Sequence, residues 1–463
     1  MAKRRKLSKS QIKKRKKEYY NKRLEEKKRI INLILKNSHL LGYPNINITK
    51  YNLKVDVPTE AWFNINKFFY LGKEIKGKFE KLPINDTVIK ANKYPLYLSE
   101  SQKEIVLKWM HAAEIMYNIT LKYAKHIFHY KYILSNKYKL KMNYMTIRTK
   151  ILKGITNIIS KKYDTPIHIL DEAIKRLCTS WNACVTNLVK KRIKKFNLRY
   201  LKHSKPIKTI TIQKDDFSVT NNTFFPRKLG KNIDSNGVSL IKKDITSDCT
   251  LQYNKHKNRF TLFMTSEVKT IKNNNKEIIS IDPGVRTFLT GISNNNVTEI
   301  GTNVSDKIKT YLMKTDSIKN RNLPDKIKKK HEYRNNKKIK NSITDLHWKS
   351  IKYLTDNFKT ICIGKWSTKS IGLNETSVLT TMTKRIASRL RFYEYLQKLQ
   401  YKCNLNQTNL YITDESYTSK LCSNCGWENV NLGSSKIFNC KNCLLTIDRD
   451  INGARNIFIK SLK

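Results

Sequence analysis

NLYITDESYTSKLCSNCGWENVNLGSSKIFNCKNCLLTIDRDINGARNIFI, residues 409–459, is the stretch from which the architecture of this chain can be read. A short apolar strand, Leu410 to Ile412, runs into an acidic pair, Asp414 and Glu415. Two CxxC turns follow, Cys422/Cys425 and Cys440/Cys443, separated by residues 426–439. A second acidic step, Asp448 and Asp450, then opens a helix. Four soft thiolates on two turns suit the tetrahedral preference of zinc, and a closed four-cysteine site leaves no position for substrate. The zinc is therefore expected to be structural. Carboxylates lie on both sides of this ribbon, and the chemistry is expected from them.

Working outward, the whole chain has 463 residues with 93 Lys+Arg against 36 Asp+Glu, a net charge of +57. That excess exceeds what solubility needs and points to a polyanion. Nucleic acid is favoured, because neutralised phosphates release counterions. No apolar run approaches the roughly 20 residues of a membrane span, and the start of the chain has no secretory apolar core, so no membrane partner is expected. Hydrophobic residues make up 39%, enough for real cores, and the length suggests roughly two to four domains. Cys178, Cys184, Cys249, Cys362 and Cys403 stand singly and read as reduced thiols of an intracellular protein. The histidines show no catalytic spacing; His111, His126, His129 and His347 are expected to pack or face solvent.

Upstream, residues 1–35 are so basic that they predict a disordered tail or a lone helix, with Lys3–Lys6 and Lys13–Lys17 as candidate nuclear import signals or a nucleic-acid arm. Short β-rich pieces, Tyr51–Val57 and Tyr94–Leu98, place a β platform in 36–98. Ser99 then caps a helix carrying Ile105, Met110, Ala113, Met116 and Ile119 at helical spacing, and a second runs from about Pro166 to Val189. Strand-like alternation returns at Ile207, Ile210 and Ile212, then from Leu251 to Met264, with Lys and Asn interleaved. A polar linker, Lys269–Lys276, leads into EIISIDPGVRTFLTGIS at 277–293. There Asp282 sits on a buried strand, a costly place unless the acid is paired or bound to metal. Strand, strand, strand, helix, strand, helix, strand, helix from here on is an α/β plan with a mixed sheet.

Three of these stretches, IDPGVRTF at 281–288, YTSKLCSNCG at 417–426 and DRDINGARNI at 448–457, resemble the RuvC-type nuclease of the TnpB proteins and their eukaryotic and viral relatives, the Fanzor proteins. YPLYLSESQ at 94–102, MYN at 116–118 and DLHWK at 345–349 extend the resemblance over about 90–459. It implies an RNase H-like fold in which three acids hold two Mg²⁺ ions. Carried over by position, the first acid is Asp282 and the third Asp450, with Asp448 as the alternative. TnpB-like sequences place a Glu at the end of the strand that here reads TICIGK (360–365), where Gly364 stands instead, and no acid occurs in 360–374. Fanzor-like sequences carry that Glu just before YTS, which here is Glu415. Asp414 and Glu375 are its rivals. Independently of the resemblance, hard cations prefer oxygen ligands, and two Mg²⁺ roughly 4 Å apart can activate water and stabilise the leaving 3′ oxygen.

The expectation is thus a multidomain α+β and α/β chain. It comprises a tail (1–35), a β-barrel-like nucleic-acid platform (36–98 and 205–275), a helical recognition region (99–204) and a RuvC-like domain (277–463) with a zinc ribbon insert (417–446). The function implied is an RNA-guided DNA endonuclease of a mobile element, one protein per noncoding guide RNA, acting on double-stranded DNA and nuclear if the host is eukaryotic. A catalytically weakened RNA- or DNA-binding relative, or a DNA transposase, is the alternative.

Overall fold

A computed structural model describes residues 9–38, 63–66, 86–133, 141–218, 220–230, 245, 247–293, 296–366, 379–433 and 435–462. The chain forms two compact units, a central one (89–268) and a terminal one built from 1–88 and 269–463. The candidate strand Tyr51–Val57, the basic cluster Lys3–Lys6 and the rival acid Glu375 lie outside the described residues.

In chain order, helix Lys9–Asn37 is followed by strands β1 (Phe63–Asn66) and β2 (Thr87–Leu96). The central unit then packs helices Glu100–Ile133, Lys153–Tyr163 and Ile167–Val189 with β3 (Ile207–Ile212), β6 (Cys249–Asn254) and β7 (Arg259–Lys269); β4 (Phe217–Ser218) and β5 (Thr223–Phe224) form a small hairpin. Ser99 closes a reciprocal cap at the first of these helices: its hydroxyl accepts from the Gln102 N–H at 3.2 Å, and Gln102 accepts from the Ser99 N–H at 3.0 Å. The helical stripes at Met110, Ala113 and Met116, and at Ile169, Ala173, Leu177 and Trp181, are buried, while Lys190, Lys191, Lys194 and Lys195 past the last helix are exposed. On the sheet, Leu251, Tyr253, Phe260, Leu262 and Met264 alternate inward. The sheet runs β2-β7-β6-β3, with β2 and β3 at opposite edges. The expected barrel is therefore an open four-stranded sheet among the described residues, because its edge strands do not pair. Of the stretch 36–98, β2 joins this sheet, and β1 pairs elsewhere.

The terminal unit is built on a six-stranded mixed sheet: β1, β10 (Val297–Ile300), β9 (Leu289–Ile292), β8 (Ile278–Pro283), β11 (Thr360–Gly364) and β12 (Asn409–Thr413), in that spatial order. β1, β10, β9 and β8 pair antiparallel, and β8, β11 and β12 pair parallel. The odd residues Ile279, Ile281, Ile361 and Ile363 face a core shared with helices Val304–Asn320, Asp325–Asn357, Thr381–Leu390 and Phe392–Leu405. The period of two turns Ser280 and Asp282 to the other face, where the C-terminal helix Arg449–Ser461 packs. Ser280 donates to Ala454 O across that contact at 2.7 Å. Between β12 and this helix the chain makes the ribbon hairpin β13 (Ile437–Asn439) and β14 (Thr446–Asp448).

Within the basic stretch, residues 9–37 are not a free tail. From Lys9 the chain is helical, and its apolar end buries Ile30 and Ile34 against Leu421, Phe458, Ile459 and Leu462 of the same unit. Isoleucines four apart form one stripe, which is what lets so charged a helix bury anything. Among the described residues no helix is long and apolar enough to cross a membrane.

Candidate active site and metal centre

The four cysteines converge. Their sulfurs all lie within 4.8 Å of one another, with Cys422 Sγ to Cys443 Sγ at 3.6 Å and Cys425 Sγ to Cys440 Sγ at 3.5 Å. Zinc–sulfur bonds of 2.3 Å span a tetrahedron with edges of about 3.8 Å, so the donor set fits that ion. The turns are preshaped by backbone: the Gly426 N–H donates to Cys422 O at 2.9 Å, and the Cys440 N–H to Leu445 O at 2.8 Å. Gly426 has a φ of +74°, which a side chain there would strain.

Three elements bring the acids near one another, with Asp282 feeling the charge of both Asp450 and Glu415, but their oxygens do not all close to within 4.8 Å as the thiols do. Asp282 is the penultimate residue of β8, and its side chain lies over Gly453 of the C-terminal helix so closely that a Cβ at 453 would collide with Asp282 Oδ2. Burial, then the charges of Asp450 and Glu415, push Asp282 well above the usual carboxylate range. Asp450 is in the first turn of that helix and is also raised, by burial and then by Asp448, while Arg449, Arg286 and Lys436 pull it back. Asp448 has a different task. Its carboxylate caps the helix, accepting from the Asp450 N–H at 2.8 Å and the Ile451 N–H at 3.3 Å.

Glu415 lies two residues past β12. Gly364 pairs with Thr413 in the parallel ladder, and its neighbour Ile363 pairs with Ile281, which brings Gly364 alongside Asp282. A Cβ built on Gly364 would stand 2.5 Å from Glu415 Oε1 and 2.7 Å from its Cγ. The Glu415 side chain thus fills the space over position 364. Its Oε1 is buried and has no hydrogen-bond partner, and burial followed by the charge of Asp414 raises the group to about 7. Asp414 turns outward, accepting from the Ser416 N–H at 3.0 Å and lying 3.7 Å from Lys460 Nζ. The two successive acids therefore part company, as the alternation of an extended chain requires.

Two features here have little or no sequence signal. Gly453 marks a close approach that only the fold reveals. Glu299 on β10 stands in register with Thr290, and Thr290 with Asp282, so one row of the sheet carries both acids on one face. Glu299 is raised by burial and by Asp448 and Asp450, with Lys436 opposing. His347, expected to pack or face solvent, is buried and stacks on Phe288 at 5.4 Å. In the central unit His111, Glu114 and His203 gather within 4.8 Å, but Lys208 Nζ already donates to Glu114 at 3.0 Å and to His203 at 3.1 Å, so a cation holds that position.

Comparison with known proteins adds the following. The model of the Cas12f1-like TNB domain matches residues 392–457. The TnpB-like protein L770 of Acanthamoeba polyphaga mimivirus is 32% identical over 397 residues, which is 81% of this chain and 74% of the relative. TnpB-like protein L79 of the same virus is 31% identical over 81% of this chain and 74% of its own. The putative transposase R186, also of that virus, is 28% identical over 88% of each. The CRISPR-associated endodeoxyribonuclease Cas12f1 of Sulfoacidibacillus thermotolerans is 29% identical over 96 residues, 20% of this chain and 22% of that one. Among solved structures, the Cas12f1 chain of a complex with single-guide RNA and target DNA aligns with a TM-score of 0.47 at 14% identity, covering 82% of this chain and all of that one.

Proposed function

Since this chain belongs to the TnpB-like family, we propose that it is an RNA-guided DNA endonuclease of the Fanzor kind, encoded by a mobile element, with an RNase H-like (RuvC) catalytic unit. The observation that carries the reading is the side chain of Glu415 lying over Gly364. An acid missing from the end of β11 is supplied from the end of the neighbouring strand, at the same place in the sheet. Asp282, Glu415 and Asp450 are the catalytic carboxylates, and Asp448 serves as helix cap.

Three largely buried acids, of which Asp282 is raised by the charges of Asp450 and Glu415 and Glu415 carries a buried unpartnered oxygen, fit hard divalent cations. Two Mg²⁺ bound there supply water activation and stabilisation of the leaving 3′ oxygen. The protein's own part is to hold the carboxylates rigid on β8, on the turn after β12 and on the first turn of the C-terminal helix. Cys422, Cys425, Cys440 and Cys443 hold a structural zinc that fixes the ribbon between the second and third acids.

Guide RNA and double-stranded DNA are the partners this reading assigns. A net charge of +57 and the exposed Lys326, Lys329, Lys330, Arg334, Lys337 and Lys340 on one helix support a polyanionic ligand. By analogy with other guided nucleases, base pairing reads the sequence and the protein reads backbone shape and a short adjacent motif. The basic N-terminal clusters suit nuclear import if the host is eukaryotic. The test is purification with bound RNA, sequencing of that RNA, and cleavage of a matched duplex in Mg²⁺. Cutting at a defined sequence by RNA-free protein would overturn the guided reading. The name of the relative R186, a putative transposase, motivates a second assay on the same reaction. Joined products, rather than cut ones, would favour a transposase.

A further inference from the structure

An acid at the end of β11 would have its backbone fixed by pairing with Thr413, one residue past the Ile363–Ile281 pair on the other side. Glu415 has no such support, because the β12 ladder ends at the Gly364–Thr413 pair. Something else must hold its turn.

The C-terminal helix supplies the contacts. Asn452, Asn456 and Lys460 stand four residues apart on one stripe of it, and all three reach the segment between Glu415 and Cys425. Lys460 Nζ donates to Ser416 O at 3.1 Å. Asn456, fully buried, donates through Nδ2 to Thr418 O at 2.7 Å and to Leu421 O at 2.8 Å. Asn452 donates to Leu421 O at 2.8 Å and accepts from the Ser423 N–H at 2.9 Å. Thr418 in turn donates to Glu415 O twice, from its hydroxyl at 2.9 Å and from its N–H at 3.2 Å. Asn456 Oδ1 has no partner, so the turn uses the amide's donors and not its carbonyl.

We propose that Asn456 is a positioning residue for Glu415, acting through Thr418 and replacing the strand pairing that an acid at position 364 would have had. The proposal rests on the reading of Glu415 as a metal-holding acid. Its physical content is that one helix sets all three carboxylates: Asp450 on its first turn, Asp282 over Gly453, and Glu415 through Asn456. Asparagine is suited to the task because two buried carbonyls need two donors from one short side chain. Leucine leaves Thr418 O unpaired and Leu421 O to Asn452 alone, and aspartate opposes both carbonyls with charge.

The experiment uses the full chain with its copurified RNA and the variants Asn456→Leu, Thr418→Val and Glu415→Gln. Zinc content, amide hydrogen exchange over residues 416–421 without divalent cation, direct Mn²⁺ binding, and the Mg²⁺ dependence of guided cleavage are measured. Asn456→Leu is expected to keep its zinc and RNA, exchange faster over 416–421, and bind Mn²⁺ about 10- to 100-fold more weakly, the range for partners that orient metal ligands. Thr418→Val, which removes one donor to Glu415 O and keeps the Thr418 carbonyl, is expected to move the same way. It decides the matter if Asn456→Leu does not fold. Unchanged Mn²⁺ affinity in the folded, zinc-replete variant overturns the positioning role when Glu415→Gln does lose Mn²⁺. If Glu415→Gln also binds Mn²⁺ normally, it is the reading of Glu415 that fails.

Discussion

The four thiols and the three acids belong to one unit, yet they are assembled in opposite ways. The thiols come from two tight turns, the last 21 positions after the first, and each turn shapes itself by its own backbone bonds. The acids come from residues 282 to 450, on a strand end, a loop and a helix start, and they meet only when the sheet and the C-terminal helix are in place. A local site can be recognised from spacing and tolerates error elsewhere in the fold. A site spread over a sheet inherits every packing decision around it, which is why glycines at 364 and 453 matter as much as the acids they face.

The sharpest way to break this contrast is to remove the acids. Asp282→Ala, Glu415→Gln and Asp450→Ala should each lower guided cleavage by about a thousandfold or more, while RNA and DNA binding persist. Asp414→Asn, on the outward-turned neighbour, should stay within about threefold of the parent, since a substitution away from packed features seldom matters much. Single-turnover cleavage with a separate binding assay checks both, and normal cutting by Glu415→Gln would return attention to Asp414 and Glu375.

Next in size is a change that leaves every acid in place. Gly364→Ala puts a methyl group 2.5 Å from Glu415 Oε1. The carboxylate must move, and a displacement on the order of 1 Å costs about a hundredfold in rate. Zinc content and melting temperature should hold, so the loss falls on the spread site alone. An Ala variant of full activity would show that Glu415 need not sit over position 364.

The converse change strikes the local site. Cys440→Ser should weaken zinc binding by at least about tenfold and lower the melting temperature, because metal binding is coupled to folding of the ribbon. Cleavage should fall only as far as the ribbon unfolds. A full equivalent of zinc in that variant would remove the ribbon assignment.

The smallest effect tests the scaffold beneath both sites. His347 is buried, donates to Leu390 O at 3.0 Å, and is held down to about 4 by burial, with Lys398 adding to the effect. Its folded value lies below the ordinary 6.5, so the unfolded chain binds the extra proton first. Stability should therefore be full above about pH 6.5 and fall toward pH 4, by at most about 3 kcal/mol. His347→Gln should flatten that slope in urea titrations run across the range.

Much of this was legible from residues alone. The CxxC turns announced four thiols that the structure brings together, the alternation in 278–283 predicted a buried strand with one acid, and Ser99 marked a helix start that the structure shows capped. What failed to be legible has a common cause. The basic N-terminal stretch offers so little apolar surface that its two buried isoleucines are invisible without the groove that receives them. Position 63–66 has no mark to say that it extends the terminal unit's sheet, and nothing in 36–98 shows that the four-stranded sheet stays open.

By itself, then, the sequence determined what depends on neighbours along the chain: the thiol pairs, the strand and helix periods, the charge, and the absence of an acid at 364. Only the tertiary structure decided that Glu415 covers that glycine, that Asp448 is spent on capping while Asp450 stays beside Asp282, and that Asn456 ties the turn between them. Those facts depend on strand register and helix docking, where residues far apart in sequence are brought together by burial of surfaces that neither one carries.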